Sequence, residues 1–150
     1  MTNSNTTAHA HVSLITLGTA DLARAATFYE RLGFKRKMRA AKGVAFFEAG
    51  GIALSLYGLS DLARDAGLPG ADQRPGAGGI TLAWNCASEA MVDAAMAQAK
   101  AAGGRILVAA QKASWGGYHG HFADPDGHVW EVAFNPQFPL TPDGRPTLPD

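Results

Sequence analysis

At 150 residues the chain has the size of one ordinary domain with room for a buried core, and 47% hydrophobic against 17% charged residues excludes a disordered chain. Thirteen Lys+Arg balance thirteen Asp+Glu, so net charge gives no reason to expect nucleic acid or an anionic membrane as partner. The single cysteine, Cys86, excludes an intrachain disulfide and a Cys-based zinc cluster, and suits a reducing compartment.

Met1 to His11 is polar and lacks the basic patch and apolar run of a secretion signal. No apolar stretch approaches the roughly 20 residues that span a bilayer, so a cytoplasmic protein is expected. His11–Gly18, rich in β-branched and apolar residues, reads as a strand. Asp21 then takes an N-cap position, and Leu22, Ala25, Ala26, Tyr29 and Leu32 recur at helical spacing until Gly33. Three strands follow at Phe34–Ala40, Val44–Ala49 and Ile52–Tyr57, with Gly43 and Gly50-Gly51 as turns. A short helix over Leu59–Ala66, capped by Ser60, leads into a Gly/Pro-rich loop.

The order then repeats. Ile80–Trp84 is a strand, Ser88 caps a long alanine-rich helix ending at Gly103-Gly104, and Arg105–Gln111, Trp115–Ala123 and His128–Phe134 are strands. The reading is a single domain over 1–150: a first βαβββ module over about 11–66, a linker over about 67–78, a second module over about 79–135, and a tail over 136–150. That tail holds five of the eight prolines and is expected to wrap the surface in extended form.

Strand residues divide by period two. Ile15 and Leu17, Leu54 and Leu56, Leu82 and Trp84, Trp130 and Val132 form bulky faces suited to support the helices. Thr16, Ser55, Tyr57, Ala83, Glu131 and Ala133 form the opposite, smaller and more polar faces. The expected fold class is therefore α+β: two βαβββ modules forming a curved mixed sheet around a cavity, with the helices on the outer face.

The opening ITLGTADLARAATFYERLGF and the closing GHFADPDGHVWEVAFNP resemble the vicinal oxygen chelate superfamily. This is the fold group of glyoxalase I, the bleomycin-resistance proteins and the extradiol dioxygenases. Asp21-Leu22, Phe28-Tyr29 and Leu32-Gly33-Phe34 are similar to its first-helix signature, and Asp124-Pro125-Asp126-Gly127 with Glu131 to its terminal hairpin. The resemblance implies paired βαβββ modules, a small-molecule ligand and a homodimer. It also implies metal-ligand positions on the first and last strands of each module, which fall at Leu14, Ser55, Gly79 and Glu131. Leu14 and Gly79 carry no donor and Ser55 a poor one, so by the usual pattern no metal cofactor is expected.

Glu131, flanked on its face by Val129 and Ala133, would be partly desolvated and is the candidate general base. His119 and His121 alternate onto the same face. If Phe122 pairs with His128 across the last hairpin, His119 stands opposite Glu131 with His121 diagonal to it. Two imidazoles and a carboxylate would then make an alternative, rebuilt ligand set for Fe, Mn, Zn or Ni. His128 is expected to point the other way. Trp115 and Tyr57 fall on the small-residue face and could stack on a flat ligand, whereas Trp84 and Trp130 fall on the core face.

The candidate ligand contacts are thus Thr16, Ser55, Tyr57, Trp115, His119, His121 and Glu131. The basic run Lys35, Arg36, Lys37, Arg39 and Lys42 reads as a solvated edge that discourages aggregation. Two functional readings stay open. One is a bleomycin-resistance-like binder of a small organic molecule. The other is a lyase, isomerase or dioxygenase that uses Glu131 as base or a metal at His119, His121 and Glu131.

Overall fold

In the computed structural model, which describes residues 8, 10, 12–68 and 80–150, strand β1 (Leu14–Thr19) turns into helix α1 (Leu22–Leu32) at Asp21. The Asp21 side chain accepts a hydrogen bond from the Arg24 amide at 3.0 Å, satisfying one of the free amides of the first turn. Gly33 ends the helix at φ 112°, a left-handed conformation that glycine adopts without strain. Strands β2 (Lys35–Lys37), β3 (Val44–Glu48) and β4 (Ala53–Gly58) and the short helix α2 (Leu59–Asp65) complete the first half. Strand β5 (Leu82–Asn85), helix α3 (Glu89–Ala102) and strands β6 (Arg105–Lys112), β7 (Tyr118–Ala123) and β8 (Val129–Phe134) form the second. No helix among the described residues is long and apolar enough to cross a membrane.

The two halves repeat one topology. The sheets are ordered β1-β4-β3-β2 and β5-β8-β7-β6, each with one parallel pair and otherwise antiparallel neighbours. The expected α+β architecture of two βαβββ modules is therefore present, in the form of two four-stranded mixed sheets with helices. The bulky faces do meet the helices. Leu54, Leu56, Phe122, Trp130 and Val132 pack with Ala25, Phe28 and Tyr29 of α1 and with Val92, Met96 and Ala99 of α3 in one core.

Several boundaries differ from the sequence reading. β2 stops at Lys37 because Met38 takes φ 51° and breaks the extended backbone. Ser60 does not cap α2. Gly58, the last residue of β4, holds the N-cap position without a side-chain bond, so Ser60 lies inside the first turn. β7 begins at Tyr118 rather than Trp115, since the Ala113 carbonyl-to-amide turn closes with its amide on the Gly117 oxygen at 2.9 Å. The proline-rich tail is not simply extended, because Leu140 bridges Pro146 around a turn in which the Thr141 amide bonds the Arg145 carbonyl at 2.8 Å. His9, His11, Gly79 and the linker from residue 69 onward lie outside the described residues.

The β7–β8 turn ties the halves together. The Asp126 carboxylate accepts from Thr19 Oγ1 at 2.6 Å, the Ala20 amide at 3.0 Å and Arg24 at 3.1 Å. The His128 Nε2 lies 2.7 Å from the Gly18 carbonyl oxygen, so this ring points away from the other histidines. Beneath them the Tyr29 hydroxyl donates to Asp124 at 2.7 Å and accepts from Trp130 Nε1 at 3.2 Å.

Burial, and then the adjacent Asp124 charge, push the Tyr29 phenol far above its ordinary value of 10.0. A phenol raised on folding contributes stability that is whole below pH 10.0 and is lost as pH rises above it. In that alkaline range the wild type is expected to lose about 1.4 kcal/mol per pH unit more than Tyr29→Phe. Urea titrations of both proteins between pH 9 and 11 check this, and parallel curves would refute it.

Candidate site on the open face of the second sheet

Glu131 lies at the middle of β8, between Trp130 and Val132, which are buried in the core. Alternation turns its carboxylate to the opposite face, where the side chain keeps 29% of its exposure. His119 and His121 reach the same face from β7, with side-chain exposures of 22% and 26%. Their neighbour Gly120 faces α3, where an added Cβ would come within 2.8 Å of Met96 Cε.

The hairpin register differs from the expected one. Phe122 pairs with Trp130, not with His128, so His121 stands opposite Glu131 and His119 opposite Ala133. The slip is two residues and so preserves every face. Its cause is the Asp124 carboxylate, which accepts from the Asp126 amide at 2.9 Å and the His128 amide at 2.8 Å and draws the turn in.

Despite the slip, the three side chains converge. His119 Nδ1 lies 2.8 Å from Glu131 Oε2, and His121 Nε2 lies 3.7 Å from the same oxygen. The His119 and His121 rings meet edge to face at 5.3 Å. Trp115 extends the row, its ring edge-on to His119 at 5.4 Å. Gly117 makes room for it, since a Cβ there would lie 1.9 Å from the indole and 2.5 Å from the Phe134 carbonyl oxygen. The role of Gly117 was not legible from the sequence, where Gly116-Gly117 falls inside the strand read over Trp115–Ala123. Strand β6 carries irregularities between Ile106 and Val108 and between Val108 and Gln111, the latter two residues pairing with His121 and His119. Bulges of this kind bend the strand that carries them and increase its twist.

The first sheet holds the remaining candidates. Thr16 and Ser55 pair across β1 and β4, and their hydroxyl oxygens are 2.5 Å apart with Ser55 buried. The Tyr57 hydroxyl donates to Asp65 at 2.9 Å, a bond that raises the phenol above its ordinary value. Among the described residues no hydrogen bond or ring contact joins these three to the Trp115–Glu131 group. Two grooves of about 400 and 450 Å³ open elsewhere. One lies between α3 and the tail turn, the other between α1 and the end of α3, and no candidate residue lines either.

The family resemblance implies metal ligands at Leu14, Ser55, Gly79 and Glu131. Leu14 offers a hydrocarbon side chain, Ser55 is committed to Thr16, and Gly79 has no side-chain donor. Within the basic run, Arg36 and Arg39 reach Glu30 at 3.4 and 3.0 Å, and Lys37 reaches Glu48 at 3.4 Å. Arg39 in particular holds the Glu30 carboxyl below its ordinary range.

The family model described as the Glyoxalase/Bleomycin resistance protein/Dioxygenase superfamily matches residues 10–132. A glyoxalase-related enzyme from Fulvimarina pelagi is 36% identical, with a TM-score of 0.84 over 93% of this chain and 99% of that one. Two further structures share the fold. A glyoxalase/bleomycin resistance protein/dioxygenase family enzyme from Burkholderia phytofirmans matches at 18% identity, TM-score 0.74, over 83% of this chain and 98% of its own. A lactoylglutathione lyase from Agrobacterium tumefaciens matches at 22% identity, TM-score 0.63, over 85% and 96%. No curated protein matches the chain.

Proposed function

The chain belongs to the Glyoxalase/Bleomycin resistance protein/Dioxygenase superfamily, and on that premise we propose that it binds a small organic molecule on the open face of its second sheet. The observation that carries the reading is the row Trp115–His119–His121 beside Glu131, a line of edge-to-face aromatic rings next to a carboxylate. Such a pairing of apolar surface with a few convergent polar groups is what small-ligand sites require. The ligand class is a ring-bearing molecule whose hydroxyl or amine donates to Glu131, with the ring against Trp115. Thr16, Ser55 and Tyr57 are assigned as the further contacts from the first sheet.

Acid–base chemistry on that ligand is the second reading. It is favoured by the 2.8 Å contact between Glu131 and His119, which gives a proton accepted by the carboxylate an imidazole neighbour. The protein is read as a cytoplasmic homodimer. The buried Cys86 suits a reducing compartment, and the dimer rests on the family resemblance.

A thermal-shift screen of phenols, anilines and aromatic hydroxy acids in EDTA tests the proposal. At 100 times its Kd a ligand adds about 2.7 kcal/mol, a rise of roughly 5–10 °C for a chain of this size. Trp115→Ala and Glu131→Gln are expected to abolish the rise while melting near the wild type when unliganded. A panel without any shift, or hits that bind both variants undiminished, would overturn the reading. Light scattering at micromolar concentration checks the dimer, and a monomer there removes it.

A further inference from the structure

We propose that His119, His121 and Glu131 form a binding site for a first-row divalent cation, which shares only Glu131 with the positions the family resemblance implies and takes its two histidines from β7 instead. The inference shares residues with the proposed ligand face but does not need the organic ligand. One donor atom from each of the three side chains lies within 4.8 Å of the other two. Glu131 Oε2 is the shared corner, 2.8 Å from His119 Nδ1 and 3.7 Å from His121 Nε2. Donors bound to one ion at about 2.1 Å stand roughly 3.0–3.4 Å apart, so the two distances bracket the required spacing.

His121 supplies the second observation. Its Nδ1 is buried without a hydrogen-bond partner, and its Nε2 is beyond hydrogen-bond reach of Glu131 at 3.7 Å. No group among the described residues hydrogen-bonds to either nitrogen of this partly exposed imidazole, and the buried Nδ1 is the one a native protein seldom leaves unsatisfied. A cation between Nε2 and Oε2 would give the ring a bond through Nε2 and draw the three groups together, with Nδ1 still unpartnered. Among the described residues, the ion pairs of Glu131 are with these two histidines and with no Lys or Arg, so its charge is free to meet a cation. The partial exposure of all three side chains leaves the remaining coordination positions to water or a ligand.

The donor set decides the class of ion. Two imidazoles and one carboxylate favour Ni²⁺, Zn²⁺ or Co²⁺ over the oxygen-seeking Mg²⁺ and Ca²⁺. The unsupported Nδ1 of His121 leaves that ligand without an outer partner to orient it, so the ion should exchange readily.

Co²⁺ titration of the tag-free full chain, followed by its visible absorption and by calorimetry, tests the site. One equivalent is expected to bind in the micromolar range, to compete with Ni²⁺ and Zn²⁺, and to ignore millimolar Mg²⁺. His119→Ala, His121→Ala and Glu131→Gln should each weaken binding at least 10-fold, with circular dichroism spectra and melting temperatures close to wild type. Binding equal to that of the His119→Ala/His121→Ala double variant, or unchanged by Glu131→Gln, would overturn the site. Those outcomes leave the EDTA ligand screen untouched, so the two readings fail separately.

Discussion

Asp124→Ala is expected to lower the melting temperature by on the order of 10 °C, from a loss of about 3–4 kcal/mol. The carboxylate is 5% exposed and accepts from the Tyr29 hydroxyl at 2.7 Å, the Asp126 amide at 2.9 Å and the His128 amide at 2.8 Å. Removing it strands a buried phenol donor and two turn amides, and an orphaned buried donor costs more than the net worth of its bond. Tyr29→Phe removes only one of these contacts and should cost less. The double variant should be less destabilised than the sum of the single ones, because both single changes remove the same bond. The same change loosens the turn that sets His121 opposite Glu131, so Co²⁺ affinity should fall with stability. Differential scanning calorimetry of the single and double variants checks the result. A melting temperature within about 2 °C of wild type would show that the turn holds without Asp124.

Trp130→Ala should cost about 3–5 kcal/mol, the range for deleting a large aromatic from a packed core. The indole stacks on Phe122 at 6.0 Å and 3° and meets Tyr29 and Phe34 at 6.1 and 5.8 Å. It also donates to the Tyr29 hydroxyl at 3.2 Å, so its loss opens a cavity and removes a hydrogen bond together. Trp130→Phe keeps the stacking and should recover more than half the loss. Urea denaturation is the measurement: a lower midpoint with an unchanged slope is the expected pattern. A loss below about 1 kcal/mol would mean that the Phe122 and Tyr29 rings close over the gap.

Local chemistry made much of the fold legible. Asp21 and Ser88 accept from amides of their own first turns, and Gly33 and Gly103 end helices in the left-handed region, as their sequence neighbours imply. Period-two alternation assigned Trp130 and Val132 to the core and Glu131, His119 and His121 to the other face, because that assignment depends only on parity along one strand.

Which of those residues touch is a different kind of fact. A register shift of two residues leaves parity intact, so no pattern within β7 or β8 distinguishes His119 opposite Glu131 from His121 opposite it. The choice is made by the buried Asp124 carboxylate gathering the turn, and that carboxylate is held in turn by Tyr29, 95 residues away. The seating of Trp115 over Gly117 beside His119 likewise depends on the space between a turn and a strand. Chain-local preferences thus settled the elements and their faces. Contacts between segments far apart in sequence settled the geometry that brings two imidazoles to one carboxylate.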